Sequence, residues 1–280
     1  MTEPEQDAAI EPGLKTDLAG EQDYGRYLDL GRLLGCQRPI SSSHDELLFI
    51  VIHQATELWL KVMLHEVRAA RRMIAADQLR ASFKMLARVS RIQAQLIQSW
   101  DVLSTLTPAD YLAFRDRLGP ASGLQSHQYR VLECLLGNKQ PGMLAVFRHH
   151  PEIHAELAAE LAAPSLYDEA IRLLARRGMP IAADRVERDW SGTYRPDASV
   201  RAAWTAIYRD PATHWDLYEL AEELIDLEDW SRQWRFRHVT TVERIIGRKT
   251  GTGGSSGVDY LRRRLDVWYF PELWQLRTEL

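Results

Sequence analysis

PATHWDLYELAEELIDLEDWSRQWRFRHVTTVERIIG, residues 211–247, decides the fold class. Leu217, Leu220, Leu224, Leu227, Trp234, His238 and Ile245 fall along one line close to heptad spacing, with charged residues filling many of the positions between. A stripe of that period belongs to a helix and not to a strand, whose side chains alternate every second residue. It predicts one helix from about 211 to 247, the longest in the chain.

The same period recurs outward from it. Ser41-Ser-Ser-His-Asp-Glu46 offers cap residues and first-turn acids for a helix from about 42 to 76. Leu79, Phe83, Leu86, Val89, Ile92, Leu96 and Leu103 mark a second from about 77 to 104. Thr107-Pro108-Ala-Asp110 is a helix start, with a Thr cap, Pro at the first position and Asp three beyond the cap. Another helix spans Gln125 to about Leu136 and stops at Gly137-Asn138, and shorter ones follow, one begun by Ser165. No segment shows sustained alternation flanked by hairpin turns, and no repeat has a solenoid period. The expectation is an all-α protein: a bundle of long helices with additional short ones, forming a single domain over 23–280 after a flexible segment at 1–22.

Composition narrows the function. With 280 residues, 45% apolar and 26% charged, the chain is an ordinary globular one. Its net charge of −4 speaks against a nucleic-acid partner, which calls for a basic face. Cys36 and Cys134 have no zinc, redox or covalent-haem spacing and read as reduced thiols. The N-terminus lacks the apolar core of a signal peptide, and the longest apolar run, Leu47–His53, is too short to span a bilayer. A cytoplasmic protein without a membrane partner is expected. Nine Trp and ten Tyr suit either an aromatic-lined cavity or bulky core filling.

Four places carry candidate chemistry. Gly251-Thr-Gly-Gly-Ser-Ser-Gly257 is not a phosphate cradle, because no strand precedes it and no lysine follows. It is either a flexible connector or a loop offering hydroxyls and amides to a small ligand. His238 sits on the apolar stripe with no second ligand one turn away, which argues against zinc. A lone helical His facing an aromatic cavity suits a non-covalent haem, whose porphyrin supplies the other four nitrogens, or else it is a core histidine. His53 shares a helical face with Phe49 and Glu57; it lines a pocket or bonds a backbone carbonyl. Arg115, one turn after Tyr111, would clamp a carboxylate with the phenol's help, or pair with Asp110 or Asp116. Gly119-Pro-Ala-Ser-Gly123 is a second small-residue turn.

Taken together, these segments resemble the tryptophan 2,3-dioxygenase family, within the haem-dependent tryptophan/indoleamine dioxygenase superfamily. The resemblance rests on YGRYLDL at 24–30, HDELLFIVIHQATELWLK at 44–61, RDRLGPASGLQSHQYR at 115–130, QWRFRH at 233–238, GTGGSSG at 251–257 and FPELWQLR at 270–277, in order and at matching spacing from residue 12 on. It implies a bundle enclosing a haem pocket, with one haem b per subunit, ferrous when active, and O2 as co-substrate. The implied reaction opens the indole of L-tryptophan to N-formyl-L-kynurenine, the first step of tryptophan catabolism. His238 would ligate the iron, and Ser122 and Gly123 would line the distal side of the haem. His53 would be the catalytic residue, hydrogen-bonding the indole N–H. Phe49, Ile50, Val51, Ile52 and His53 would line the substrate site, Arg115 and Tyr111 would hold the carboxylate, and Thr252 the amino-acid head group. Tyr24 and Tyr27 would come from a neighbouring subunit of a homotetramer, a dimer of dimers. The loop at 251–257 is then expected to be mobile until substrate arrives.

Overall fold

The computed structural model describes residues 11–280, so the part of the expected flexible segment at 1–10 lies outside the described residues. The helices in chain order are α1 (Tyr24–Tyr27), α2 (Leu30–Leu34), α3 (Glu46–Ala75), α4 (Leu79–Leu103), α5 (Pro108–Arg115), α6 (His127–Leu136), α7 (Pro151–Ala162), α8 (Leu166–Arg176), α9 (Ala183–Val186), α10 (Ala198–Arg209), α11 (Trp215–Ile246), α12 (Val258–Arg262) and α13 (Pro271–Gln275). Among the described residues there is no strand, and the fold is all-α as the periodicity implies. The chain divides into two units, one up to Pro39 and one from Ile40 onward. In the first, residues 11–22 form neither helix nor strand, and α1 and α2 follow with Tyr24, Tyr27 and Leu34 exposed.

In the second unit α4 lies between α3 and α11, and α3 also packs on α6 and α8. The stripes meet in one large core holding Leu64, Val67, Leu86, Val89, Leu220 and Leu224, with Trp204 and Tyr167 fully buried. Burying each such side chain stabilises the fold by roughly 1.5–3 kcal/mol. A smaller apolar cluster of Leu103, Leu106, Tyr111, Phe114 and Ile245 joins the end of α4, α5 and the end of α11, with Phe49, Ile52 and Trp100 packed against it.

The helix ends follow local chemistry in most places. Asp77 adopts φ +57°, breaking the chain between α3 and α4. Gly137 at φ +104° ends α6 in the left-handed conformation that glycine takes without cost. The 41–46 segment departs from expectation. No serine caps α3; instead Glu46 turns back and its buried carboxylate accepts the amides of Ile40 and Ser41 and the Ser41 hydroxyl.

Buried carboxylates fasten the C-terminal FPELW segment. Glu228 on α11 accepts the amides of Tyr269 (2.6 Å) and Phe270 (2.9 Å) and the Trp274 indole N–H (3.0 Å). Glu272 accepts from Tyr167 Oη (2.9 Å), from the Tyr194 hydroxyl and from the Asp197 amide (2.8 Å). That motif is architectural.

The α8 start is a buried capping box: Ser165 Oγ accepts the Asp168 amide at 3.1 Å and donates to Asp168 Oδ2 at 2.7 Å. Ser165→Ala should therefore lower stability by about 1 kcal/mol in urea unfolding, with an unchanged dependence on denaturant. An unchanged midpoint would show that α8 is held by packing alone.

Taken whole, α3 is long and apolar enough to cross a membrane by length and composition, with a mean hydropathy of 1.5 over its best window, although the apolar run at 47–53 alone is not. In the fold, Leu60, Met63, Leu64, Val67, Ala70 and Ile74 of this helix enter the large core. Of the apolar window itself, 17% is buried within the fold.

Candidate active site

His238 lies in the last third of α11, one turn beyond Trp234. Its imidazole stacks on Trp100 of α4, with centroids 4.6 Å apart and planes within 14°, and Trp234 tilts against it at 5.2 Å. Tyr129 closes on Trp234 from α6 at 5.1 Å. This aromatic enclosure strips water from the ring and pushes its pKa down to about 4, helped by the positive fields of His53 and Arg130. At neutral pH His238 is an uncharged imidazole with a free lone pair, the form that binds a metal. His53, which contributes to that lowering, lies 185 positions earlier in the sequence.

His53 is held on α3 by its own helix. Its Nδ1 lies 2.7 Å from the Phe49 carbonyl oxygen, which only accepts, so Nδ1 carries the proton and Nε2 keeps its lone pair. The carbonyl bond of the blander sequence reading is thus present, and it orients the ring and leaves the second nitrogen available. Burial lowers the His53 pKa, opposed by the Phe49 carbonyl and by Glu57. Glu57 in turn accepts from the Gln128 side-chain amide at 2.8 Å.

Phe49 stands 4.2 Å from the His53 ring and 5.4 Å from Phe114. Of residues 49–53, Phe49, Ile52 and His53 share a face by helical phase, and Phe49 and Ile52 pack on the smaller cluster. Ile50 is half-buried, whereas Val51 is 42% exposed on the opposite side of α3.

Arg115, at the end of α5, donates from Nη2 to the Thr250 carbonyl at 2.7 Å. Asp110 is occupied by its capping box with Thr107, and Asp116 is distant at 3.7 Å and almost fully exposed. The surface-pair reading of Arg115 thus holds for Asp116 alone, through a long pair that solvent weakens. Its Nε is buried without a partner. Tyr111 lies beside it, and burial raises the phenol's pKa against the pull of Arg115.

The glycine-rich loop is a built structure. Thr252 Oγ1 donates to the Ala121 carbonyl, the Gly251 amide to Ser255 O at 3.0 Å and Arg263 to Ser256 Oγ at 3.2 Å. A Cβ on Gly253 would meet Ser122 at 2.8 Å, and one on Gly257, where φ is +60°, would meet the Lys249 carbonyl at 2.3 Å. Glycine is required at both. Loop 251–257 thus lies on the turn where Ser122 caps Gly123–Gln125, with Arg115 tied to Thr250 just before it. Thr252, Ser122, Gly123, Arg115 and Tyr111 come together; Tyr24 and Tyr27 belong to the N-terminal unit, where their rings are exposed.

Among the described residues no group of three His, Cys, Asp or Glu converges to hold a bare metal ion. A single neutral histidine in an aromatic enclosure fits a group that brings its own equatorial ligands. A buried donor without a partner fits the same conclusion: Trp100 Nε1, on the ring stacked against His238. The sequence reading did not single out Trp100. Its only signal was the step Leu96, Trp100, Leu103, which continues the α4 stripe.

Comparison with known proteins bears on this constellation. A family model described as tryptophan 2,3-dioxygenase matches residues 9–156 and 142–280. A tryptophan 2,3-dioxygenase of Bradyrhizobium sp. (strain ORS 278) is 59% identical over 280 residues, the whole of both chains. One of Bacillus cereus (strain ZK / E33L) is 57% identical over 271 residues, 97% of each chain. One of Burkholderia pseudomallei (strain 668) is 60% identical over 264 residues, 94% of this chain and 86% of its own. Likeness at this level along the entire length leaves one assignment: the chain belongs to the tryptophan 2,3-dioxygenase family.

Proposed function

We propose that the protein is a haem-dependent dioxygenase that adds both atoms of O2 across the indole C2–C3 bond of L-tryptophan, giving N-formyl-L-kynurenine. The observation that carries this reading is the His238 imidazole held between Trp100 at 4.6 Å and Trp234 at 5.2 Å, in a chain of this family. Haem b, one per subunit and ferrous, supplies the site where O2 binds and is activated.

The chain's own residues bind and orient. His238 would hold the haem iron through its ring nitrogen, and Ser122 and Gly123 would line the haem pocket. Arg115, with a spare buried Nε and Tyr111 beside it, takes the substrate carboxylate through a charge-assisted fork. Thr252 meets the head group from the loop, and Phe49 and Ile52 form the apolar wall for the indole, with Ile50 and Val51 at its margin. The indole N–H donates to His53 Nε2, the nitrogen its Phe49 bond leaves bare. His53 thereby fixes which edge of the ring meets O2, and positioning of this kind accounts for much of the rate.

Residues 23–280 act as a single catalytic domain, in a homotetramer built as a dimer of dimers. An exposed apolar stripe on α3, Leu47, Val51, Leu58 and Val62, supports association. Tyr24 and Tyr27, with rings exposed in the N-terminal unit, would complete a neighbour's site. The free thiols Cys36 and Cys134 accord with a cytoplasmic location.

Incubation with L-tryptophan and ascorbate under air, followed by the absorbance of N-formylkynurenine, tests the reading. Its pH profile tests His53. Because burial holds the His53 pKa below the ordinary 6.5, Nε2 stays an acceptor at neutral pH. Acid then protonates it into a donor facing a donor. Activity should fall on the acid side only below pH 6.5, and His53→Gln should abolish that limb. An acid limb identical in His53→Gln would assign it to another group.

A further inference from the structure

Trp100 makes two contacts' worth of sense only if something binds beside His238. Its ring lies nearly parallel to the imidazole, at 4.6 Å and 14°, and 5.8 Å from Trp234. Its Nε1–H is buried and has no acceptor. A phenylalanine would stack on His238 equally well without a stranded donor, and a buried N–H left unpaired is a net loss to the fold. The indole donor therefore calls for an acceptor that arrives with a ligand. An axial imidazole donates its lone pair in its own ring plane. A ring stacked on His238 lies beside whatever His238 binds, and its stranded N–H is a donor close to that ligand. The strong acceptors that haem carries are its two propionate carboxylates.

We propose that Trp100 is a positioning residue for the prosthetic group, in two separable ways: its stack fixes the plane of the His238 ring, and its Nε1–H donates to a haem propionate. This rests on the haem reading above. No chemistry passes through Trp100.

Trp100→Phe keeps a stacked ring and removes the donor, whereas Trp100→Leu removes both. The holoenzymes are compared by the rate of haem transfer to excess apomyoglobin and by the ferrous iron–histidine stretching band in resonance Raman spectra. Trp100→Phe should lose haem about tenfold faster than the wild type, as expected for one charge-assisted hydrogen bond, with the stretching band in place. Trp100→Leu should lose haem at least as fast and also shift or broaden the band. A wild-type transfer rate in Trp100→Phe would overturn the donor role. An unmoved band in Trp100→Leu would overturn the stacking role. A folded wild-type protein that takes up no haem would overturn the haem reading and this inference with it, an outcome distinct from either of the others.

Discussion

His238→Ala is expected to yield a folded, helical protein that retains no haem and forms no N-formylkynurenine. The loss is total because no second histidine lies one turn away on α11, where positions 234 and 242 are Trp and Val. His53 is turned by its Nδ1 bond to the Phe49 carbonyl. Folding should survive, since His238 lies outside both apolar clusters. The truncation leaves a slot between Trp100 and Trp234 the size of the lost ring. Added free imidazole should enter it and restore part of the Soret band. Far-ultraviolet circular dichroism checks the fold and absorbance the haem. A variant that keeps haem at wild-type stoichiometry would move the axial ligand elsewhere.

Arg115→Lys should weaken L-tryptophan binding by ~1–3 kcal/mol, which is about 5- to 150-fold in Kd. Lysine keeps the charge and loses the fork. In the wild type Nη2 is committed to the Thr250 carbonyl at 2.7 Å while Nε is buried and unpaired, so one guanidinium serves the loop and a ligand together. An ammonium does one or the other. The effect should fall mainly on KM, and indole-3-propionate, which lacks the amino group, should suffer as much as tryptophan. Equal affinity in the variant would mean that the carboxylate is bound elsewhere.

Much of the fold was legible because helix signals are local. The α11 stripe, the Thr107-Pro108 start of α5, the Ser165 cap of α8 and Gly137 after α6 are all set by neighbours within four residues. The serines at 41–43 misled for a related reason. They have cap chemistry, but Glu46 outcompetes them by accepting their segment's amides itself. Within the candidate site, His238, His53 and Arg115 stood out in sequence as residue types with candidate chemistry. What joins them did not. Trp100 reaches His238 from a position 138 residues earlier, and Ala121 and Ser122 each meet a loop residue 131 positions later. Contacts of that range leave no periodic trace. The loop read as a connector or a small-ligand lid; its hydrogen bonds to itself, to Ala121 and to Arg263 are contacts that composition does not foretell.

The most direct test is one absorption titration: purified protein, reconstituted with haem and reduced, examined with and without CO before and after L-tryptophan. A haem held by His238 beside a tryptophan site predicts a stoichiometric Soret band that moves with CO and moves again, saturably, with L-tryptophan. A folded protein with no Soret band, or a CO-bound band indifferent to saturating L-tryptophan, would contradict it.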